Sequence, residues 1–108
     1  MYNKVQRVVA VPLSSGEISQ LLLKYPRWKY DGSKLTRDFT LRDYETTWSF
    51  LNQIAMRSHL WGHHPTITTC YNKVNLQLST HDVGGVSDID LKLMRRIEGY
   101  AEGREQDK

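Results

Sequence analysis

The sequence predicts an α+β fold of two layers, in which a four-stranded antiparallel sheet carries three helices on one face in the order α-β-β-α-β-β-α. Three observations predict it. Helical periodicity and period-2 alternation take turns along the chain, the predicted strands come in adjacent pairs separated by turn signals, and capping-box spacings open two of the three helical stretches. With 108 residues the chain has the usual size of one domain, so residues 1–108 are expected to share one core, with residues 1–13 and the polar tail 102–108 loosely ordered.

Each element has a local cause. Ser14 and Glu17 make a capping box, with Leu13 and Ile18 at the spacing of a hydrophobic staple, so the first helix starts here. Its core face is Ile18, Leu21, Leu22 and Tyr25, and Pro26 stops it, because the residue before a proline is pushed out of helical geometry. Trp28 and Tyr30 then alternate with charged neighbours, Asp31-Gly32 offers a tight turn, and Leu35, Phe39 and Leu41 complete a first hairpin. Asp43 caps a second helix with an apolar stripe of Tyr44, Trp48, Leu51 and Ala55. Phe50 and Ile54 lie off that stripe and widen the apolar surface, which predicts a second packing partner such as another subunit.

After Pro65, Ile67, Thr69 and Tyr71 alternate in one phase, and Val74, Leu76 and Leu78 in the other. A one-residue slip reverses the face of every side chain, so a turn at Asn72-Lys73 joins two strands. Gly84 and Gly85 form a loop, and Ser87 with Asp90 opens a third helix bearing Leu93, Met94 and Ile97. The uncovered face of such a sheet must be polar, or its edge must pair with another subunit.

Apolar residues make up 39% of the chain and charged residues 25%, a balance that excludes a disordered polyampholyte or a fibrous repeat. No stretch approaches the roughly 20 apolar residues of a membrane span, and the mean hydropathy is −0.58, so no membrane partner is expected. The net charge of +3 comes from scattered basic residues, and direct nucleic-acid binding is not expected. A single cysteine, Cys70, excludes an intrachain disulfide and a multi-cysteine zinc cage, which points to a reducing compartment, the cytoplasm or the mitochondrial matrix. Lys4 and Arg7, with no acid in the first sixteen residues, are compatible with a mitochondrial presequence, whereas the apolar run Val8 to Val11 is too short for a signal peptide.

All four histidines, His59, His63, His64 and His81, fall within twenty-three residues. Imidazole titrates near neutrality and donates from one ring nitrogen while accepting at the other, which suits proton traffic around a polar heterocycle. His59 and His63 also have the i, i+4 spacing of two metal ligands on one helical face, but residue 60 is Leu where a zinc protease needs Glu. His81 with Asp82 or Asp90 is left to complete a non-protease site. If the helix runs on to His63, His59 lies one turn before it and the two imidazoles interact. Cys70, in a predicted strand, reads as a small half-buried side chain, and no serine sits in a G-x-S-x-G turn. Trp28 and Trp48 fall on predicted core faces, while Trp61, in the histidine loop, is a candidate for lining a pocket.

The string His59-Leu60-Trp61-Gly62-His63-His64-Pro65, followed by Tyr71-Asn72-Lys73-Val74, Ser79-Thr80-His81 and Asp90, resembles the pterin-4a-carbinolamine dehydratase family. Upstream, Trp28, Phe39, Tyr44, Trp48 and Phe50 extend the likeness, which runs from about Trp28 to Ile97. The resemblance implies a four-stranded antiparallel sheet with helices on one side, a homodimer or homotetramer, and dehydration of a 4a-hydroxytetrahydropterin to quinonoid dihydropterin, with no cofactor or metal. By position it implies that His63, His64 and His81 are catalytic, and that Ser79, Thr80 and Asp90 contact the pterin, with His59 and Trp61 added as further binding candidates. Asp90 also has a local reason to exist, since a carboxylate in the first turn after Ser87 caps a helix. The chain departs from the family at His59, where an acidic residue is usual, and at Ile67, where an aromatic is usual. Two other readings remain: relatives act as dimerisation partners of a homeodomain transcription factor, and four histidines suit a metal-dependent hydrolase.

Overall fold

A computed structural model describes residues 9–106; Lys4, Arg7 and Val8, on which the presequence expectation rests, lie outside the described residues. The elements are α1 (Ser15–Lys24), β1 (Lys29–Tyr30), β2 (Leu35–Thr40), α2 (Tyr44–Trp61), β3 (Thr66–Cys70), β4 (Lys73–Leu78), a 3-10 turn over His81–Val83, and α3 (Asp88–Ala101). The order is the predicted one, and the strands form one antiparallel sheet in the order β1-β2-β4-β3. No helix among the described residues is long and apolar enough to cross a membrane.

The register explains which face is covered. Leu35 pairs with Leu78, Arg37 with Leu76 and Phe39 with Val74, and directly opposed residues share a face. All six are buried, and they join Ile18 and Leu21 of α1, Phe50, Leu51 and Ile54 of α2, and Leu93, Met94 and Ile97 of α3 in the core. The opposite face presents Thr36, Asp38, Lys73, Asn75 and Gln77, and Asn75 Nδ2 donates to Asp38 Oδ1 across it at 2.8 Å. The outward face is thus polar, as the sequence allowed.

α1 has the predicted capping box, in which Glu17 N–H donates to Ser14 Oγ and Ser14 N–H donates back to Glu17 Oε1 at 2.7 Å. The first hairpin turn is longer than the Asp31-Gly32 pair suggested, because Tyr30 pairs with Leu35 and residues 31–34 form the loop. Asp31 closes it, accepting from the backbone N–H groups of Ser33 and Lys34 at 2.9 Å each. The second turn lies one residue earlier than predicted, at Tyr71-Asn72, since Cys70 pairs with Lys73. Tyr71 adopts φ 52°, and Asn72 Nδ2 ties the turn to Leu41 O.

The largest correction concerns α2. Its buried face is Thr47, Phe50, Leu51, Ile54 and Ser58, while Tyr44 and Trp48 are 51% and 43% exposed and Ala55 is exposed. Phe50 and Ile54 therefore face this chain's own sheet, with the Phe50 ring 5.1 Å from that of Phe39, and they are not available to another subunit. The small polar residues of the face settle their hydroxyls locally where they can, as Thr47 Oγ1 does on Asp43 O at 2.7 Å.

A second correction is Arg37, which breaks the apolar alternation of β2 yet points into the core. Its guanidinium lies 3.9 Å from the centroid of the Phe39 ring and donates to Glu98 at 2.5 Å and to Glu105 at 2.6 Å. A buried cation without such partners is strongly disfavoured, so Arg37 requires the segment after α3 to return to the sheet. That segment is accordingly held: Gln106 N–H donates to Thr40 O at 2.8 Å and Arg42 N–H to Arg104 O at 3.0 Å. Residues 104–106 are thereby tied to the end of β2. At the other end, Leu13 N–H donates to Val86 O at 3.0 Å and Val11 N–H to Asp88 Oδ1 at 2.9 Å.

Hydrogen bonds from Ser33 and Lys34 hold Asp31 below the ordinary aspartate value of 3.8, and those from Thr46 at the start of α2 do the same for Asp43. Groups stabilised as anions contribute fully above the unfolded value and lose that contribution as pH falls through the folded one. Carboxyl NMR titration should find both midpoints below 3.8, with stability decreasing as the solution is acidified through that range.

Candidate active site

The site begins where α2 stops. Gly62 adopts φ 65°, and its N–H donates to His59 O while His63 N–H donates to Ser58 O at 3.0 Å, the double closure of a Schellman motif. A left-handed residue here favours glycine, and it turns His63 off the helix axis. On the other side, β4 ends at Leu78, Ser79 is exposed, and Thr80 turns inward. Thr80 and Gly85 form an isolated bridge that closes the loop carrying His81. Ser87 then caps α3, whose third residue is Asp90.

These three segments meet at Asp90. Its carboxylate is fully buried and accepts from Thr80 Oγ1 at 2.7 Å and from Ser87 N–H at 2.9 Å, both on Oδ2. The other oxygen, Oδ1, lies 2.6 Å from His63 Nε2, and the His63 side chain is 16% exposed. An ionised carboxylate only accepts, so this contact assigns the Nε2 proton to His63 and leaves Nδ1 as the ring nitrogen free for chemistry. Thr80 spends its hydroxyl proton on Asp90, so Ser87 Oγ, 2.6 Å away, donates to Thr80 and accepts from Ile89 N–H. Asp90 caps α3 and orients His63 at once.

The predicted residues divide into two groups. His63, Thr80 and Asp90 are joined by direct hydrogen bonds, and Ser87, read in the sequence only as a cap, belongs with them through its hydroxyl. His64 and His81 stand next in the chain to His63 and Thr80, both exposed, as is Ser79. His59 is in the last turn of α2, and because the helix ends at Trp61 it does not share a helical face with His63; its ring lies 6.1 Å from that of His64. The half-buried Trp61 ring faces Arg57, Lys92 and Arg96. Cys70 is exposed rather than half-buried, because β3 is an edge strand whose five residues are all exposed. A cavity of about 370 Å³ lined by Asp38, Thr68, Cys70 and Lys73 among others contains none of the histidines. Among the described residues no group of three or more His, Cys, Asp or Glu side chains is placed to hold a metal.

Residues 11–100 match the family model described as pterin 4 alpha carbinolamine dehydratase. The chain belongs to that family. A Saccharomyces cerevisiae protein provisionally named as such a dehydratase is 42% identical over 114 aligned positions, which take in 93% of this chain and 95% of that protein. A Nitrosospira multiformis protein with the same provisional name is 38% identical over 81% of this chain and 77% of its own. Among solved structures, a transcriptional coactivator/pterin dehydratase from Brucella melitensis superimposes with a TM-score of 0.78 at 32% identity, covering 82% of this chain and 97% of that one. A pterin dehydratase-like protein described as a RuBisCO assembly factor in the alpha-carboxysome aligns with a TM-score of 0.59 at 26% identity, over 68% and 88% of the two chains.

In this chain a buried carboxylate lies against the first histidine of the H-H-P string, and Thr80 is one of its fixed donors. Thr80→Val keeps the shape and removes that donor, which should cost about 1–3 kcal/mol. Urea unfolding with an unchanged denaturant slope is the measurement.

Proposed function

We propose that this chain dehydrates a 4a-hydroxytetrahydropterin to the quinonoid dihydropterin, using imidazole acid and base groups. The observation that carries the reading is the 2.6 Å contact between His63 Nε2 and the buried Asp90, which fixes the ring and its tautomer. The reaction needs a proton given to the 4a-hydroxyl, cleavage of the C4a–O bond to release water, and removal of the N5 proton as the C4a–N5 double bond forms. Protons balance and no electrons are exchanged. In this reading His63, through Nδ1, and His81 share the acid and base duties, while His64 binds and orients the pterin. Ser79 flanks the substrate, Thr80 and Asp90 act from beneath His63, and His59 and Trp61 lie at the substrate's margin. Family membership supports the substrate class.

Turnover on chemically generated 4a-hydroxytetrahydropterin tests it. His63→Ala and His81→Ala should each lower turnover by about 10²–10⁴-fold, as expected for a positioned acid or base. His64→Ala should raise the Michaelis constant at least as much as it lowers turnover. Wild-type rates in both His63→Ala and His81→Ala would overturn the assignment.

A second reading, a protein-interaction module, is favoured by one observation. Tyr44, Trp48, Met56 and Leu60 form an exposed apolar stripe along α2, with Met56 60% and Leu60 38% exposed. We infer that this stripe and the open edge of β3 support a homodimer or homotetramer, and that the same surface receives the partner in the interaction-module reading. Trp48→Glu combined with Met56→Glu should lower the mass seen by light scattering while leaving the melting temperature within a few degrees. A wild-type monomer at about 10 μM would refute self-assembly through this surface.

A further inference from the structure

Lys92, Arg95 and Arg96 stand at i, i+3 and i+4 on α3, on the side away from its buried residues Ile89, Asp90, Leu93, Met94 and Ile97. They gather round the last helical residue of α2. Lys92 Nζ lies 4.9 Å from the centroid of the Trp61 ring, Arg57 Cζ 5.1 Å and Arg96 Cζ 5.6 Å. Among the described residues none of these four cations makes an ion pair, although Arg27 and Arg37 both do. Arg57 Nε is moreover buried without an acceptor.

Amphipathicity does not require this arrangement. The outer face of α3 needs only polar residues, and a mixture of signs would avoid the repulsion that clustered like charges carry. The ring holds the cations by its negative face, and that attraction does not neutralise them. Such a cluster favours an anion as ligand, and the class of anion follows from the shape. Trp61, Lys92, Arg95 and Arg96 line a shallow cavity of about 310 Å³, compact enough for a small molecule. Guanidinium forks match oxyanions with several oxygens, and one carboxylate would offset only one of the charges.

We propose that the Trp61 cluster is a binding site for a multivalent phosphate, either a free polyphosphate or the phosphate chain of an ester. Trp61 also stands at the margin of the substrate in the dehydratase reading, but the cations of this site take no part in the His63–Asp90 network and the proposal does not depend on that reading. Titration of the full ¹⁵N-labelled chain with orthophosphate, pyrophosphate, tripolyphosphate and ATP tests it, following the Trp61 indole and the amides of Lys92, Arg95 and Arg96. Affinity should rise with the number of phosphates, and Arg95→Gln combined with Arg96→Gln should weaken tripolyphosphate binding by about tenfold or more. Both side chains are exposed, so the double variant should fold; Lys92→Gln alone gives an independent partial loss. A Lys29→Gln control, at an exposed lysine on β1, should leave affinity within about twofold. Tighter binding of ATP than of tripolyphosphate supports the site with an ester as ligand, and equal binding supports it with a free polyphosphate. Absence of saturable shifts with all four anions, full affinity in the double variant, or binding of a single-stranded oligonucleotide with none of polyphosphate would each overturn it.

Discussion

One buried carboxylate organises the functional end of this molecule. Asp90 is wholly removed from solvent, which for an ion is unfavourable unless every lone pair finds a donor. The donors come from three places: the end of α2 through His63, the loop after β4 through Thr80, and the start of α3 through Ser87. Satisfying Asp90 therefore means assembling those segments, and the assembled state is one in which His63 has a single orientation. Preorganisation of the histidine and stability of the fold are consequences of the same desolvation requirement, because the carboxylate that caps α3 is the one that aims the imidazole.

Arg37 imposes a matching requirement from the middle of the sheet. It needs acids at the far end of α3 and beyond it, and Glu98 and Glu105 supply them. α3 is thus fixed at both ends by ionic hydrogen bonds, through buried Asp90 at its first turn and half-buried Glu98 near its last, with Leu93, Met94 and Ile97 packed between. Apolar burial sets how tightly the helix lies on the sheet but leaves its rotation and axial position loosely specified. Hydrogen-bonded ions at its two ends restrict both, and hence where Asp90 meets His63.

What the sequence discloses and what it conceals follow from the same physics. Capping boxes at Ser14 and Ser87 are local, depend on three-residue spacing, and appear as read. Strand phase is equally local, and the reversal between Thr69 and Val74 locates the second hairpin to within one residue. The buried face of α2 was misread because two of its five positions, Thr47 and Ser58, are polar, while the large aromatics Tyr44 and Trp48 lie outside. Side-chain size signals core, whereas the face that meets the sheet mixes Thr47 and Ser58 with Phe50, Leu51 and Ile54. Arg37 and the docked tail were illegible for a further reason: a buried cation is intelligible only once Glu98 and Glu105, sixty-one and sixty-eight residues away, are known to be beside it. The H-H-P and S-T-H strings were recognisable, but their union through Asp90 and the hydroxyl of Ser87 is a property of the fold.

The stopping point of α2 decides how the string from His59 to Pro65 is used. Successive helical residues advance by about 100°, so a helix continued through Gly62 would carry His63 round its axis instead of across to Asp90. The left-handed Gly62 ends the helix at Trp61 and divides the string. Before it, Trp61 lies against Arg57 of its own helix and the basic face of α3, and His59 faces His64. Beyond it, His63 reaches the buried carboxylate. A motif that looks continuous in the sequence thus serves two chemically distinct surroundings, a cationic one on the helix and a hydrogen-bonded one past its end. Spacing rules written for an unbroken helix, including the pairing of His59 with His63 as metal ligands, fail here because the glycine places a change of direction between them.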